Sequence, residues 1–277
     1  MYKAGISKKE LVLSGGVIRG RIKTAGFHEY EWDVDEVERR IGSWVNGFGK
    51  KPKKYDLDID FCGTKYERAK AMNDFYEITE ADILAVKPGR LFLDDYYINC
   101  FIIGSEPEKV DNQYRKVQKR VSVYAHYPFW INRKEYEFLK GRATETAGEF
   151  LDYEFDYEYD YLGSINGIGK IENTGLSPCN FEAIIYGPCI NPRFVITNHV
   201  YEVKTKVESE EYVLIKSVEG TVERIRKNGS VVNEFNNRNK SSSIFEKIPV
   251  GSNLISWDGT FGIDISLLIE RSEPECR

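Results

Sequence analysis

Residues 55–61 read Tyr55-Asp56-Leu57-Asp58-Ile59-Asp60-Phe61. Apolar side chains hold every odd position and carboxylates every even one, and successive side chains of an extended chain point to opposite faces. The stretch therefore predicts a strand of an antiparallel sheet with one covered face and one wet face. Its three aspartates are expected to be solvated, not catalytic.

Just beyond it, Thr64-Lys65-Tyr66-Glu67 has the spacing of a capping box, in which Thr64 accepts from the Glu67 amide and the Glu67 carboxylate reaches back. A helix is predicted from there, with Ala69, Met72 and Tyr76 as its apolar stripe and an end near Ile78. Pro88-Gly89 suits the centre of a type II turn, since Pro fixes φ at the first central position and Gly supplies a positive φ at the second. Strands are predicted at 91–93, 96–103 and 118–125. Between Arg133 and Glu149 the text turns polar and small with no sustained period, and the domain change is placed there, giving domains 1–140 and 150–277.

The second domain opens on 151–163, where carboxylates alternate with rings. A calcium loop needs a sharp bend and glycine, absent until Gly163, and a disordered acidic tract would lack the rings. A strand with rings inward and carboxylates to water or to a basic neighbour is expected. Further strands are predicted at 181–186, 194–197, 201–206, 212–217, 221–225, 230–233, 253–257 and 261–269, and Asn228-Gly229 and Asp258-Gly259 read as two-residue hairpin turns. The reading is a mainly β chain, with a β-sandwich-like N-terminal domain carrying one helix and an antiparallel β-sandwich after it.

Composition limits the functions. The chain has 277 residues, 32.0 kDa, 13% aromatic residues, only 2 Met and a net charge of −5, so no strong pull toward nucleic acid or an anionic membrane is expected. No apolar run approaches ~20 residues, and no signal peptide or membrane span is expected. Cys62, Cys100, Cys179, Cys189 and Cys276 are an odd set without a CxxC pair, which points to reduced thiols acting as small hydrophobes and away from zinc; Cys276 is expected to be exposed. The glycine-rich 163–170 segment fails the phosphate-loop spacing and has no following helical pattern. There is no GxSxG elbow, and His28, His126 and His199 stand singly, although a triad using His126 or His199 stays open. The 44 acidic residues always permit a glycosidase-like pair somewhere, and so select none. Of Trp32, Trp44, Trp130 and Trp257, the last is expected in the core. The clusters Lys50-Lys51, Lys53-Lys54, Arg115-Lys116 and Lys119-Arg120 read as solvated faces or contacts to acidic neighbours, not as nucleic-acid footprints. No catalytic residue, metal or cofactor is expected.

One resemblance spans the chain. Trp44, Gly47-Phe48, Lys53 to Gly63, Asn73, Glu77-Ile78, Asp82, Pro88 to Leu91 and Tyr96 to Cys100 resemble the N-terminal domain of the distal tail (Dit) proteins of long-tailed phages. The tract from Leu151 to Tyr161, Asn173 and Gly175, Phe181 to Gly187, Asn191-Pro192, Asn236 and Arg238, Pro249, Gly251 and Asn253, Ser256-Trp257 and Arg271 to Pro274 are similar to that family's galectin-like C-terminal domain. The resemblance implies a virion structural protein at the tail tip, made in the bacterial host cytoplasm and without an active site. It implies a homo-hexameric ring built by the N-terminal domains, with the tail tube protein on one face and the tail-tip protein on the other. DNA would only pass through, and no membrane is involved. The chain is short for the family, without the large carbohydrate-binding insertions of some relatives. A ring of identical copies needs two different patches on each copy, and the expected ring contacts are Trp44, Leu91, Phe92, Tyr96 and Tyr97. The rival readings are a carbohydrate-binding module contacting the cell surface and a β-sandwich hydrolase.

Overall fold

A computed structural model of the chain describes residues 1–21, 25–111, 115–140 and 167–275. The expectations for 151–163, for the start of the glycine-rich segment and for Cys276 lie outside these residues. The chain forms two compact units, Met1–Asn132 with Glu270–Arg277, and Arg133–Ile269.

In the first unit the strand Lys53–Cys62 pairs antiparallel along its length with Lys116–Ala125, and on its other edge with Ile18–Gly20. Lys116–Ala125 pairs in turn with the long strand Tyr96–Asp111, which also takes Gly89–Leu93. Tyr55, Leu57, Ile59 and Phe61 are buried, as their alternation requires. Asp56 is exposed and accepts from Ser122 Oγ at 3.1 Å, but Asp58 and Asp60 are not simply solvated. The register sets Arg120 across from Asp58 and Gln118 across from Asp60. Asp58 accepts from Arg120 Nε at 3.1 Å, and Asp60 pairs with Arg21 at 3.1 Å and Lys116 at 3.3 Å. The wet face is thus a ladder of cross-strand ion pairs.

The helix spans Lys65–Leu84 and starts on the expected capping box, with Glu67 N donating to Thr64 Oγ1 at 3.3 Å and Thr64 N to Glu67 Oε2 at 2.8 Å. It runs past Ile78 because a polar residue belongs to its inner face. Asp82 is 1% exposed and accepts from Tyr2 Oη at 2.8 Å and from the Gly5 and Ile6 amides at 3.0 Å. The buried face is Phe75, Ile78, Thr79 and Asp82. Ala69 and Tyr76, expected inside, are exposed, and Tyr76 Oη donates to Glu80 at 3.0 Å. Phe75 packs edge-on against Phe61 at 5.8 Å, which seats the helix on the sheet.

Pro88-Gly89 is not a type II turn. Gly89 opens a strand, and the left-handed residue is Val86, at φ 52°. Glycine is needed at 89 for close approach: a Cβ there would lie 2.2 Å from Tyr2 Oη.

The second unit is an antiparallel β-sandwich. One sheet runs in the order Val231–Asn233, Thr221–Ile225, Tyr212–Lys216, Asn180–Tyr186, Ile263–Arg271 and Trp130–Phe138, the last joining this unit from Arg133 onward. The other runs Gly167–Asn173, Gly251–Trp257, Arg193–Ile196 and His199–Glu202. Inner-face residues of both, including Phe181, Ile185, Phe194, Tyr201, Ile215, Ile255, Ile265 and Leu267, form one core. Trp257 is buried as expected, its Nε1 donating to Phe261 O at 2.9 Å.

The turn expectations fare differently. Asp258-Gly259 joins strands of different sheets and makes no hairpin. Asn228-Gly229 does sit in a hairpin, but Ile225 pairs with Val231 and only Gly229 has positive φ, at 78°, so the loop is longer than a two-residue type I′ turn. Residues 133–138, read as irregular, are strand: Arg133 bridges Glu182 at 2.8 Å and Ser266 Oγ at 2.9 Å, while Tyr136 and Phe138 pack on the core.

Candidate assembly surface

A two-stranded ribbon stands apart from both of the first unit's main sheet runs. Asp33–Glu38 pairs antiparallel with Ser43–Gly49 and with no other strand among the described residues. A bulge between Asp35 and Glu36 distributes the side chains so that Val34, Val45 and Phe48 share one face and Val37 and Trp44 the other. All are exposed, Phe48 at 64% and Trp44 at 58%, and Ile41 at the tip is 91% exposed. Isolated two-stranded hairpins are marginal in water, and exposed apolar side chains on both faces of this one make it the candidate interaction surface.

The root of the ribbon is fastened. Lys50 Nζ lies 5.4, 4.9 and 4.6 Å from the ring centres of Tyr30, Trp32 and Phe129, an aromatic cage filled by the protein's own cation. Burial, and then the nearby Lys53 charge, hold the Lys50 ammonium below its ordinary pKa. Lys51 Nζ pairs with Asp33 at 2.7 Å. Beside this root lies a hollow of about 220 Å³ lined by Glu29, Glu31, Lys53, Tyr55 and Pro128 among others. Of Lys50-Lys51, expected as a solvated face or a contact to acidic neighbours, Lys51 makes the acidic contact and Lys50 fills the aromatic cage, and together they fasten the ribbon.

The expected ring contacts divide. Trp44 is on the ribbon and open to solvent. Leu91, Tyr96 and Tyr97 are 4%, 7% and 4% exposed, so they belong to the first unit's own interior. Leu91 pairs with Tyr2, Tyr96 accepts from Arg271 Nη1 at 3.2 Å, and Arg90 stacks on Tyr97 at 4.7 Å. Phe92 is half-buried against Tyr97, its ring centre 5.5 Å away. Sequence reasoning missed the ribbon. Its signal was the interleaving of Val34 and Val37 with acids, the Gly42 tip at φ 72° and the return through Val45 and Phe48.

The histidines named in the sequence lie apart among the described residues. His199 Nε2 lies 2.7 Å from Ser243 O and 3.2 Å from Ser242 Oγ, and His126 packs against Phe101. Among the described residues, no group of three or more His, Cys, Asp or Glu could hold a metal ion, and no helix is long and apolar enough to cross a membrane. Cys100, Cys179 and Cys189 form no disulfide and are buried. Burial pushes the Cys100 thiol up to about 12 and Cys189 to about 11, so both are protonated and poorly nucleophilic at neutral pH.

No family model matches the sequence, and no curated protein matches it. Solved structures do. The Dit protein of phage SPP1, described as a paradigm of the hub adsorption apparatus of phages infecting Gram-positive hosts, matches at TM-score 0.52 and 9% identity over 94% of this chain and 93% of its own. A chain of the phage P2 baseplate in its activated conformation with Ca matches at TM-score 0.63 and 10% identity, covering 98% of this chain and 96% of that one. The same baseplate with Sr gives 0.62, 12% identity and 99% of both chains. The fold implied by the resemblance to distal tail proteins is the fold of this chain.

Proposed function

We propose that this chain is the distal tail hub of a long-tailed phage or tail-like particle. Copies close into a six-membered ring at the tail end, with the tail tube protein on one face and the tail-tip protein on the other. The observation that carries this reading is that the likeness to a Dit hub protein and to baseplate chains runs through almost the whole length of both partners. The ribbon supports it from the physical side, because an apolar hairpin that the described residues leave exposed is suited to a cover from outside.

The role is structural. The protein supplies position and shape, with DNA passing through the ring unread and no substrate turned over. Its place is the virion tail tip, after synthesis in the host cytoplasm. Negative-stain micrographs of the purified protein test this directly. Rings with six-fold symmetry are the expected result, and solitary particles at every concentration would overturn the proposal.

A further inference from the structure

The ribbon's cover can be narrowed by charge and position. The turn after the N-terminal strand and the turn after the helix are in direct contact. The Gly5 and Ile6 amides donate to the Asp82 carboxylate at 3.0 Å, and the Lys87 amide donates to Asp82 O at 2.9 Å. A Cβ on Gly5 would lie 2.5 Å from Pro88 O and 2.6 Å from Lys87 O, so nothing separates the two turns. Lys3 and Arg90 are cross-strand partners beside them.

The result is a compact cationic face of Lys3, Lys8, Lys87 and Arg90. Burial, and then the like charges of Lys87, Arg90 and Lys3, hold the Lys8 ammonium below its ordinary range, an independent sign that the cations crowd one another. Lys3 is engaged by Glu10 at 3.0 Å. Among the described residues, Lys8, Lys87 and Arg90 have no carboxylate within ion-pair distance. Apolar side chains border the cations: Ile6 is exposed, Leu84 is 78% exposed and Val86 is 80% exposed.

The ribbon's first strand is the complement. Asp33-Val34-Asp35-Glu36-Val37-Glu38 mixes carboxylates with exposed valines, and among the described residues only Asp33 of these carboxylates pairs with a cation, Lys51. We propose that the acidic ribbon strand Asp33–Glu38 of one copy seats on the Lys8–Lys87–Arg90 face of the next. This rests on the ring reading and names its contact. Two unlike patches on each copy make the contact head-to-tail, the arrangement that closes into rings. Opposed charges fix which patches meet, and the bordering valines, Ile6, Leu84 and Val86 supply apolar area to bury.

Charge reversal tests it without touching the core, since all the altered side chains are exposed. Sedimentation equilibrium is run on the wild type, on a face variant Lys8→Glu/Lys87→Glu, on a ribbon variant Asp35→Lys/Glu38→Lys, and on an equimolar mixture of the two variants. Circular dichroism confirms that each variant is folded. The wild type is expected to assemble, each variant alone to lose at least tenfold in self-association, and the mixture to recover, because alternating copies restore every opposed pair. Variants that assemble as the wild type does, or a mixture that stays apart, would overturn the proposed contact while leaving the ring standing. A wild type that never assembles would overturn the ring reading, and the contact with it.

Discussion

Two strands of the first unit, Lys53–Cys62 and Asp33–Glu38, both interleave carboxylates with apolar side chains, yet they meet opposite environments. In Lys53–Cys62 the odd positions from Tyr55 to Phe61 are buried, and two of the three aspartates, Asp58 and Asp60, are matched by Arg120, Arg21 and Lys116. In Asp33–Glu38 the valines face solvent, and Asp35 and Glu38 find no cation among the described residues. The pattern therefore specifies a sheet, but not the source of its second layer. For one strand that layer is in the same chain; for the other, the proposed ring contact puts it in another copy.

Truncating aromatic rings should separate the two strands most sharply. Phe61→Ala, at a position 0% exposed and packed on Phe75, is expected to cost about 3–5 kcal/mol in chemical denaturation of the separated chain. Asp82→Ala strands the Tyr2 hydroxyl and two backbone amides, and a loss of about 2–3 kcal/mol is expected by the same measurement. On the ribbon, Trp44→Ala with Phe48→Ala should leave the separated chain within about 0.5 kcal/mol of wild type. The same pair should weaken self-association at least tenfold, about 1.4 kcal/mol, in light scattering across a dilution series. If instead the ribbon rings stabilise the separated chain as Phe61 does, the contrast collapses.

A smaller effect is expected on the charged faces. Arg120→Ala takes the cation away from Asp58, which is only 9% exposed, and a loss of about 1–2 kcal/mol is expected in chemical denaturation. The electrostatic share of assembly, by contrast, should fade between low and high salt, because exposed charges are screened over about 10 Å at 0.1 M. Assembly that is indifferent to salt would leave only the apolar part of the contact.

Much of the core fold was legible. Strict alternation at 55–61, the Thr64–Glu67 capping box and the strand-and-turn rhythm of 181–269 each encode a local preference that tertiary packing then uses. The misses have physical causes. The helix runs on to Leu84 because Asp82 is an inward anchor, and a polar letter on an inner face defeats a hydrophobic count. Gly89 is there for Tyr2's ring and not for a positive φ, two demands that glycine satisfies equally and that sequence does not distinguish. Arg133 made residues 133–138 look like a linker because its partners, Glu182 and Ser266, lie far along the chain. Leu91, Tyr96 and Tyr97 were singled out for being apolar, the same property that placed them inside. The ribbon was hard to see because its valines are few and its acids many.

Hydrogen exchange measured across a dilution series decides whether the ribbon's second layer comes from another copy, because it reports each strand separately. In dilute protein the amides of 33–49 should exchange rapidly while those of 53–62 and 116–125 stay protected; on concentration, protection should rise at the ribbon and at 5–9 and 86–90 with the core unchanged. Ribbon amides that are as protected in dilute solution as in concentrated solution would contradict a cover supplied by a second chain.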